Sequence, residues 1–498
     1  MRIRFLLPLF LPLFVVLAAP HCSRGSAAPR TVLLITVDSL RADRIGADPA
    51  VTPTLDALAR EGMFFDRVLT PIPAGRPALA SLMSGLSPAR HRVRFAGHVL
   101  FRETVTVAER LAEAGFETAA FVPALELLVG GGLGQGFLEQ VGSDEDGANG
   151  ADVRTDRAVA WLDAGAAAGR FAWVHFDEPT APYLPSRAAV DALDPDYAGP
   201  YADRFAFFDV DARGLPTKPE NRRLHEHVQA LMVFGERRLS ARDHARVLAL
   251  YDAEVRDTDA RIGRLIAAAG EDALVVVVGT HGESLGEHGY FYDHGETLAE
   301  PTLRVPLVVR GPGVEVGRSS AQLGLIDVGP TILDQLVLPS LGAGAGRSFA
   351  AALEGAAVAD RGLFAESAAP LAAMGNPRLK HLPTEVNRKR ARNREMVNPA
   401  LRLRAYVMAS GRKFVLDPII DELRAYDLRS DPGEEVDRAG DPAFADDTAL
   451  ARAVLEAMVT IVAIERAQAT TDGEPAPEFP KLDADATRLL VGEGVLEE

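Results

Sequence analysis

The stretch that decides the fold is Thr31–Gly46, "TVLLITVDSLRADRIG". Its first seven residues form an apolar, β-branched run of the kind that makes a strand buried on both faces. Asp38 follows at once, so a carboxylate stands at the C-terminal end of that strand, where open α/β sheets collect their ligands. The flanking sequence alternates helix and strand. "TPTLDALAREG" (52–62) reads as a helix with Thr52 as N-cap, Pro53 in its first turn and Gly62 as its stop. "TVAERLAEAG" (106–115) reads as a second, opened by a Thr106–Glu109 capping box, and "ETAAFV" (117–122) as the next strand. A helix over 156–169 leads into the strand "RFAWVHFDEP" (170–179). Ser240 and Asp243 open a long helix to about Ala269. "ALVVVVG" (273–279) and "LRVPLVVRGPG" (303–313) are further strands. The alternation predicts a doubly wound sheet.

The 498 residues, 47% of them hydrophobic, suffice for a large core without disulfide or metal staples. The formal net charge of −17 argues against wholesale nucleic-acid binding. Arg2 and Arg4 followed by the apolar run Phe5–Ala19 read as an export signal over 1–28, too short to span a membrane comfortably. The single cysteine, Cys22, fits either a lipoprotein signal, giving a lipid anchor, or ordinary cleavage before Pro29. The product is then periplasmic, membrane-anchored or secreted. Residues 188–239 read as a polar insertion on the ligand-binding face. After about Gly342 the texture changes. A Gly-rich link is followed by a basic run, Arg378–Arg394, then a hairpin over 404–434 and a closing helix from about Asp446 to Ala467. Residues 30–342 and 343–498 are therefore expected to form a large and a small unit. The basic cluster Arg388–Arg394 is either a solvated loop or a patch for anionic glycans or lipid headgroups.

Six stretches, in order, resemble the sulfatase family of the alkaline phosphatase superfamily: "TVLLITVDSLRADRIG", "ASLMSGLSPARHRVR", "AGFETAAFV", "HGESLGEHGYFYDHGETL", "LRVPLVVRGPG" and "AYDLRSDPGEE". The resemblance implies a large mixed sheet with helices on both faces and a small C-terminal α+β domain. It implies hydrolysis of sulfate esters, with relatives acting on phosphate and phosphonate esters. It also implies a nucleophile at the mouth of a helix, commonly a cysteine converted to formylglycine. Ca2+ or another divalent cation would sit between oxygen ligands at the ends of two strands.

Carried over residue by residue, the resemblance is incomplete. In "GRPALASLMSG" (75–85) the nucleophile's place falls on Gly75, which cannot become formylglycine, and the motif arginine's place falls on Leu79. Thr70, Ser81 and Ser84 are poorly placed stand-ins, and Ser81 and Ser84 also read as residues of a packed helix. Asp38 matches the first metal ligand, and Ser39 stands where a second Asp is frequent. At the second strand end, His281 matches but Thr280 replaces a carboxylate. In "FDEPTAPYLP" (176–185), Glu178 and Thr180 fall where an Asp and an active-site His contact substrate. His294 falls where a substrate-contacting lysine sits, with His288 close by. For these histidines a structural loop role is the plain alternative, and for Asp38 a backbone-capping one. Three functional readings remain: an impaired family member with a remnant metal- or anion-binding cleft; an active metal-dependent sulfuric- or phosphoric-ester hydrolase with an unusual nucleophile; and a non-catalytic envelope interaction protein. The expected partner is a sulfated or other anionic glycan, or a small ester.

Overall fold

The computed structural model describes residues 31–95, 97–142, 150–165, 169–181, 183–199, 201–202, 240–342, 344, 346–368, 402–469, 482 and 484–492. The proposed export signal, most of the polar insertion and the basic run Arg378–Arg394 lie outside the described residues. Fifteen strands are described. The main sheet contains β1 (Thr31–Val37), β2 (Met63–Leu69), β3 (Glu117–Val122), β4 (Glu139–Gly142), β5 (Arg170–Phe176) and β6 (Leu274–Gly279). A short pair follows, β7 (Ser284–Leu285) and β8 (Phe291–Asp293), and then β9 (Arg304–Arg310), β10 (Gly317–Ser319) and β11 (Leu323–Gly324) rejoin the main sheet. Its order is β10-β2-β9-β6-β1-β5-β3-β4, with β11 also on β2. β1 is central and runs parallel to β5 and β6, whereas β9 is antiparallel to both β6 and β2. The sheet is therefore mixed.

The pattern of β1 explains its position. Val32 and Leu34 enter the core on one face of the sheet, and Leu33, Ile35 and Val37 enter the core on the other. With side chains alternating between faces, only a strand covered by helices on both sides can be apolar throughout. The helix Val107–Glu113 is closed by the expected reciprocal Thr106–Glu109 capping box. The helix Pro53–Glu61 starts as expected, but Thr52 does not cap it. Its hydroxyl donates instead to the Arg44 carbonyl (3.1 Å) and to Asp56 (3.0 Å). The free amides of Thr54 and Leu55 are taken by Asp259 of the long helix Ala241–Ala269, each at 2.8 Å.

A second, antiparallel sheet is built from β12 (Leu363–Glu366), β13 (Arg404–Val407), β14 (Arg412–Asp417) and β15 (Glu422–Asp427). The predicted hairpin is thus three strands, extended by β12 from before the basic run. The closing helix, Ala445–Ala469, lays Val454, Leu455 and Met458 on Tyr406, Phe414 and Leu416. Lys413, fully buried, joins this sheet to the main body. It reaches Glu434 at 2.8 Å and Glu300, just before β9, at 3.2 Å.

Candidate active site

β1, β5 and β6 end side by side, with Val37 opposite both Phe176 and Gly279. The next residues are therefore adjacent. The Asp38 amide donates to the Phe176 carbonyl (2.8 Å) and the Thr280 amide to the Val37 carbonyl (2.9 Å). The helix Gly75–Ser84 points its N-terminus at the same place. Ala74 is extended before it, Gly85 ends it in the left-handed region, and Pro77–Ser84 are all buried.

Gly75 has no side chain, and the Asp38 carboxylate lies where one would be. A Cβ built there would lie 2.4 Å from Asp38 Oδ2 and 3.2 Å from Oδ1. The Asp38 carboxylate occupies the space that a nucleophile at position 75 would need. It is held there by the Thr280 hydroxyl, which donates to Oδ1. The His281 Nε2 stands 3.8 Å from Oδ1 and the His175 Nε2 3.7 Å from Oδ2. Asp38, Gly75, Thr280 and His281 therefore come together.

The histidines are unlike one another. Burial lowers the His281 pKa to about 3, helped by His294 and opposed by Asp38. Its Nδ1 lies 2.9 Å from the Gly282 carbonyl, so the neutral ring donates there and leaves Nε2 as an acceptor. Burial likewise lowers His175, which rests on Thr36 at 3.0 Å, itself bonded to the Trp173 indole at 2.9 Å. His294 goes the other way. Burial opposes its charge, but Glu283, followed by Asp293 and Asp38, raises its pKa to about 9. The His294 and His281 ring centres are 4.1 Å apart. His294 is thus the cation of this centre among the described histidines.

Its counter-charge, Glu283, is a residue that the motif comparison did not single out. Glu283 is fully buried and burial raises its pKa. Its Oε2 accepts the Ser39 hydroxyl at 3.0 Å and faces His294 Nδ1 at 3.4 Å. Ser39, in the left-handed region at φ 55°, also meets the Thr180 hydroxyl at 2.9 Å. A signal was available: Glu283 is two residues beyond His281, the spacing that returns a side chain to the same face of an extended segment. His175 was similarly legible as a polar residue in an apolar strand.

The other candidates lie apart or serve packing. His288 lines a separate cavity with Leu298, Tyr426 and Glu434. Leu79 is buried in the main core. Ser81 faces His91 Nε2 at 2.8 Å, Ser84 donates to Ala80, and Thr70 donates to the Ile72 carbonyl. Glu178 and Thr180 line a cavity of ≈ 540 Å³ that begins at Asp38.

A family model described as "Sulfatase" matches residues 30–337. The chain belongs to the sulfatase family. A choline-sulfatase of Rhizobium meliloti (strain 1021) is 26% identical over 351 residues, covering 61% of this chain and 67% of that protein. Among solved structures, BT4656 in complex with its substrate D-glucosamine-2-N,6-O-disulfate superposes with a TM-score of 0.66 at 18% identity, covering 91% of this chain and 100% of the other. The phosphonate monoester hydrolase of Agrobacterium radiobacter gives 0.64 at 21% identity, covering 84% and 93%. These structural likenesses place the fold, including the small C-terminal sheet.

Sulfatase-family members typically bind a divalent metal, and the donor set here does not fit one. Calcium takes about six to eight oxygen ligands, with carboxylates supplying charge. Beyond the ends of β1 and β6 stand one carboxylate, Asp38, the Thr280 hydroxyl, already committed to it, and one neutral nitrogen donor, His281 Nε2, 3.8 Å from Asp38 Oδ1. Among the described residues, no group of three or more His, Cys, Asp or Glu side chains is arranged to hold a metal ion.

Proposed function

We propose that this chain is a sulfatase-family binding protein that has given up the formylglycine route. The observation that carries this reading is the Asp38 carboxylate lying where a side chain at position 75 would be. Position 75 offers no attacking atom, and position 79 offers no cation to orient one. Losing one positioned electrostatic group typically costs on the order of a hundredfold in rate, and such losses are not additive. What persists is the frame: the strand ends, the buried helix, and the Glu283–His294 pair beside Asp38. The reading favours a small ester over a polyanionic glycan as the cleft's ligand, because six of the described residues lining the cavity at Asp38 carry carboxylates, which repel many negative charges more strongly than one. The N-terminal segment is read as directing export, with Cys22 as the candidate lipid-attachment residue.

A second reading, hydrolysis by an activated water, is favoured by one observation: His294, whose charge Glu283 favours, lies 4.1 Å from His281, which stands beside Asp38. One assay separates the two. The purified chain is offered aryl sulfates, phosphate diesters and phosphonate monoesters, with calcium, magnesium, manganese or zinc, beside Asp38→Ala and His281→Ala. No turnover above the variants is expected. Turnover by the parent that both substitutions abolish overturns the binding-protein reading.

A further inference from the structure

The cavity at Asp38 has a hydroxyl in its wall, that of Thr180, and behind Thr180 stand the fully buried Ser39 and Glu283. These side chains form a line of hydrogen bonds from the buried centre out to the cavity. Glu283 Oε2 accepts the Ser39 hydroxyl at 3.0 Å, and the Ser39 and Thr180 hydroxyls lie 2.9 Å apart. Each link has a direction, because a hydroxyl has one hydrogen to give and two lone pairs to accept with.

The direction is set at the buried end. Glu283 Oε2 faces the Ser39 hydroxyl and, at 3.4 Å, Nδ1 of the His294 imidazolium. A carboxylate oxygen between two donors accepts from both, so the Ser39 hydrogen goes to Glu283. The Ser39 oxygen then meets Thr180 with lone pairs alone. Two hydroxyl oxygens 2.9 Å apart need a hydrogen between them, and Thr180 supplies it. With its hydrogen directed inward, Thr180 can offer a ligand in the cavity its lone pairs and no donor. Ser39 is held in this arrangement: its backbone sits in the left-handed region at φ 55°, and its carbonyl accepts the Tyr251 hydroxyl at 2.7 Å. Asp38, in the same cavity, is likewise an acceptor, already taking the Thr280 hydroxyl. Further along, Ala181, Leu184 and Pro185 give the wall an apolar stretch, with the Leu184 amide held by Glu254 Oε1 at 2.6 Å. A ligand that fits this wall lays an apolar body along that stretch and turns a hydrogen-bond donor towards Thr180.

We infer that Thr180 accepts a hydrogen bond from the ligand, and that the site selects a small ester whose alcohol part carries a free hydroxyl. Ser39 and Glu283 are the positioning residues that fix Thr180 as an acceptor. The inference rests on the small-ester reading and adds its specificity. The probes are ortho-, meta- and para-hydroxyphenyl sulfate, each paired with the corresponding methoxyphenyl sulfate and titrated calorimetrically into the full chain. In at least one pair the hydroxyl compound should bind roughly tenfold tighter or more, because the methyl ether has no hydrogen to give and leaves the acceptor unpaired. Thr180→Val keeps the shape and removes the acceptor, so the ratio should fall to near one, and Thr180→Ser should restore it. Ser39→Gly fits the left-handed backbone and frees Thr180 to turn its hydrogen outward. There the ratio should fall because the methoxy compound gains affinity, which a merely structural role for Ser39 would not produce. Melting temperatures show that each variant is folded. Equal binding within every pair overturns the inference and leaves the small-ester reading standing. A preference that survives in folded Thr180→Val is steric and also overturns it. No binding by any probe overturns the small-ester reading itself, and this inference with it.

Discussion

Substituting Gly75→Ala tests the centre with a single methyl group. The backbone at Gly75 is helical and its φ is not positive, so alanine itself is unstrained there. Glycine-to-alanine in a helix ordinarily stabilises by up to about 1 kcal/mol, and less in the first turn. Here the new Cβ would fall 2.4 Å from Asp38 Oδ2, roughly 1 Å inside an ordinary contact. Asp38 must swing away and give up the Thr280 hydroxyl, a hydrogen bond to a charged group worth about 1.5–3 kcal/mol. The net expectation is a loss of about 1–2 kcal/mol. In an Asp38→Ala background the obstacle is gone, and the same substitution should be neutral or stabilising. The coupling between the two sites is then about 1–3 kcal/mol, within the range for residues in contact. Denaturant midpoints for the four proteins measure it, provided the slopes stay equal. If Gly75→Ala stabilises the parent chain as much as it stabilises Asp38→Ala, the carboxylate does not fill position 75 and the account of the centre fails.

Thr280→Asp should destabilise the metal-free chain by a few kcal/mol, since two carboxylates about 4 Å apart repel by ~4 kcal/mol at an effective dielectric of 20. Millimolar calcium should raise that variant's melting temperature and leave the parent's unchanged. Lys413→Met should cost about 3–5 kcal/mol in thermal or denaturant unfolding, because it leaves Glu434 and Glu300 facing each other without their shared cation; adding Glu434→Gln should recover part of the loss. His91 gives a pH signature. Burial, then Arg94, lowers its pKa from 6.5 to about 3, so the unfolded chain takes up the proton first as pH falls. Its contribution is intact above pH ~6.5 and lost progressively towards pH 3, at up to about 1.4 kcal/mol per pH unit. His91→Gln should flatten the acid limb of a midpoint-versus-pH curve by that amount.

The frame was legible because local pattern and global packing agree in it. The β1 run, the Thr106–Glu109 box, the Ser240 cap and the strand ends at Asp38 and Thr280 are each specified by a few neighbouring residues. The miss at Thr52 has the opposite cause. The helix-start amides it would have capped, those of Thr54 and Leu55, are satisfied by Asp259, about two hundred positions away, and no local rule anticipates that partner. Glu283 and Glu254 escaped notice for the same reason: their neighbours Ser39 and Leu184 are distant in sequence. Motif comparison also directs attention to positions where a reference residue is missing. It does not reveal what occupies the space that a side chain would take, which at Gly75 is the Asp38 carboxylate.

The residues at positions 38, 75, 79 and 280 support one another physically. A side chain at position 75 and the present position of Asp38 exclude each other sterically. A carboxylate at position 280 would face Asp38 and demand a cation, whereas the Thr280 hydroxyl donates to it and needs none. An arginine at position 79 would be buried in the core beside Ala78, Ala80, Leu82 and Met83, with no nucleophile whose charge it would balance; leucine packs there fully buried. Each of these residues suits the others as they stand. A site losing function by unrelated single steps would pass through an unpaired buried charge at most of them, at several kcal/mol each. The centre around Asp38 is instead a consistent packing solution with its hydrogen bonds largely satisfied. That consistency makes the Gly75–Asp38 and Thr280–Asp38 couplings the quantities to measure. If both are near zero, the three positions changed independently and the centre is merely eroded.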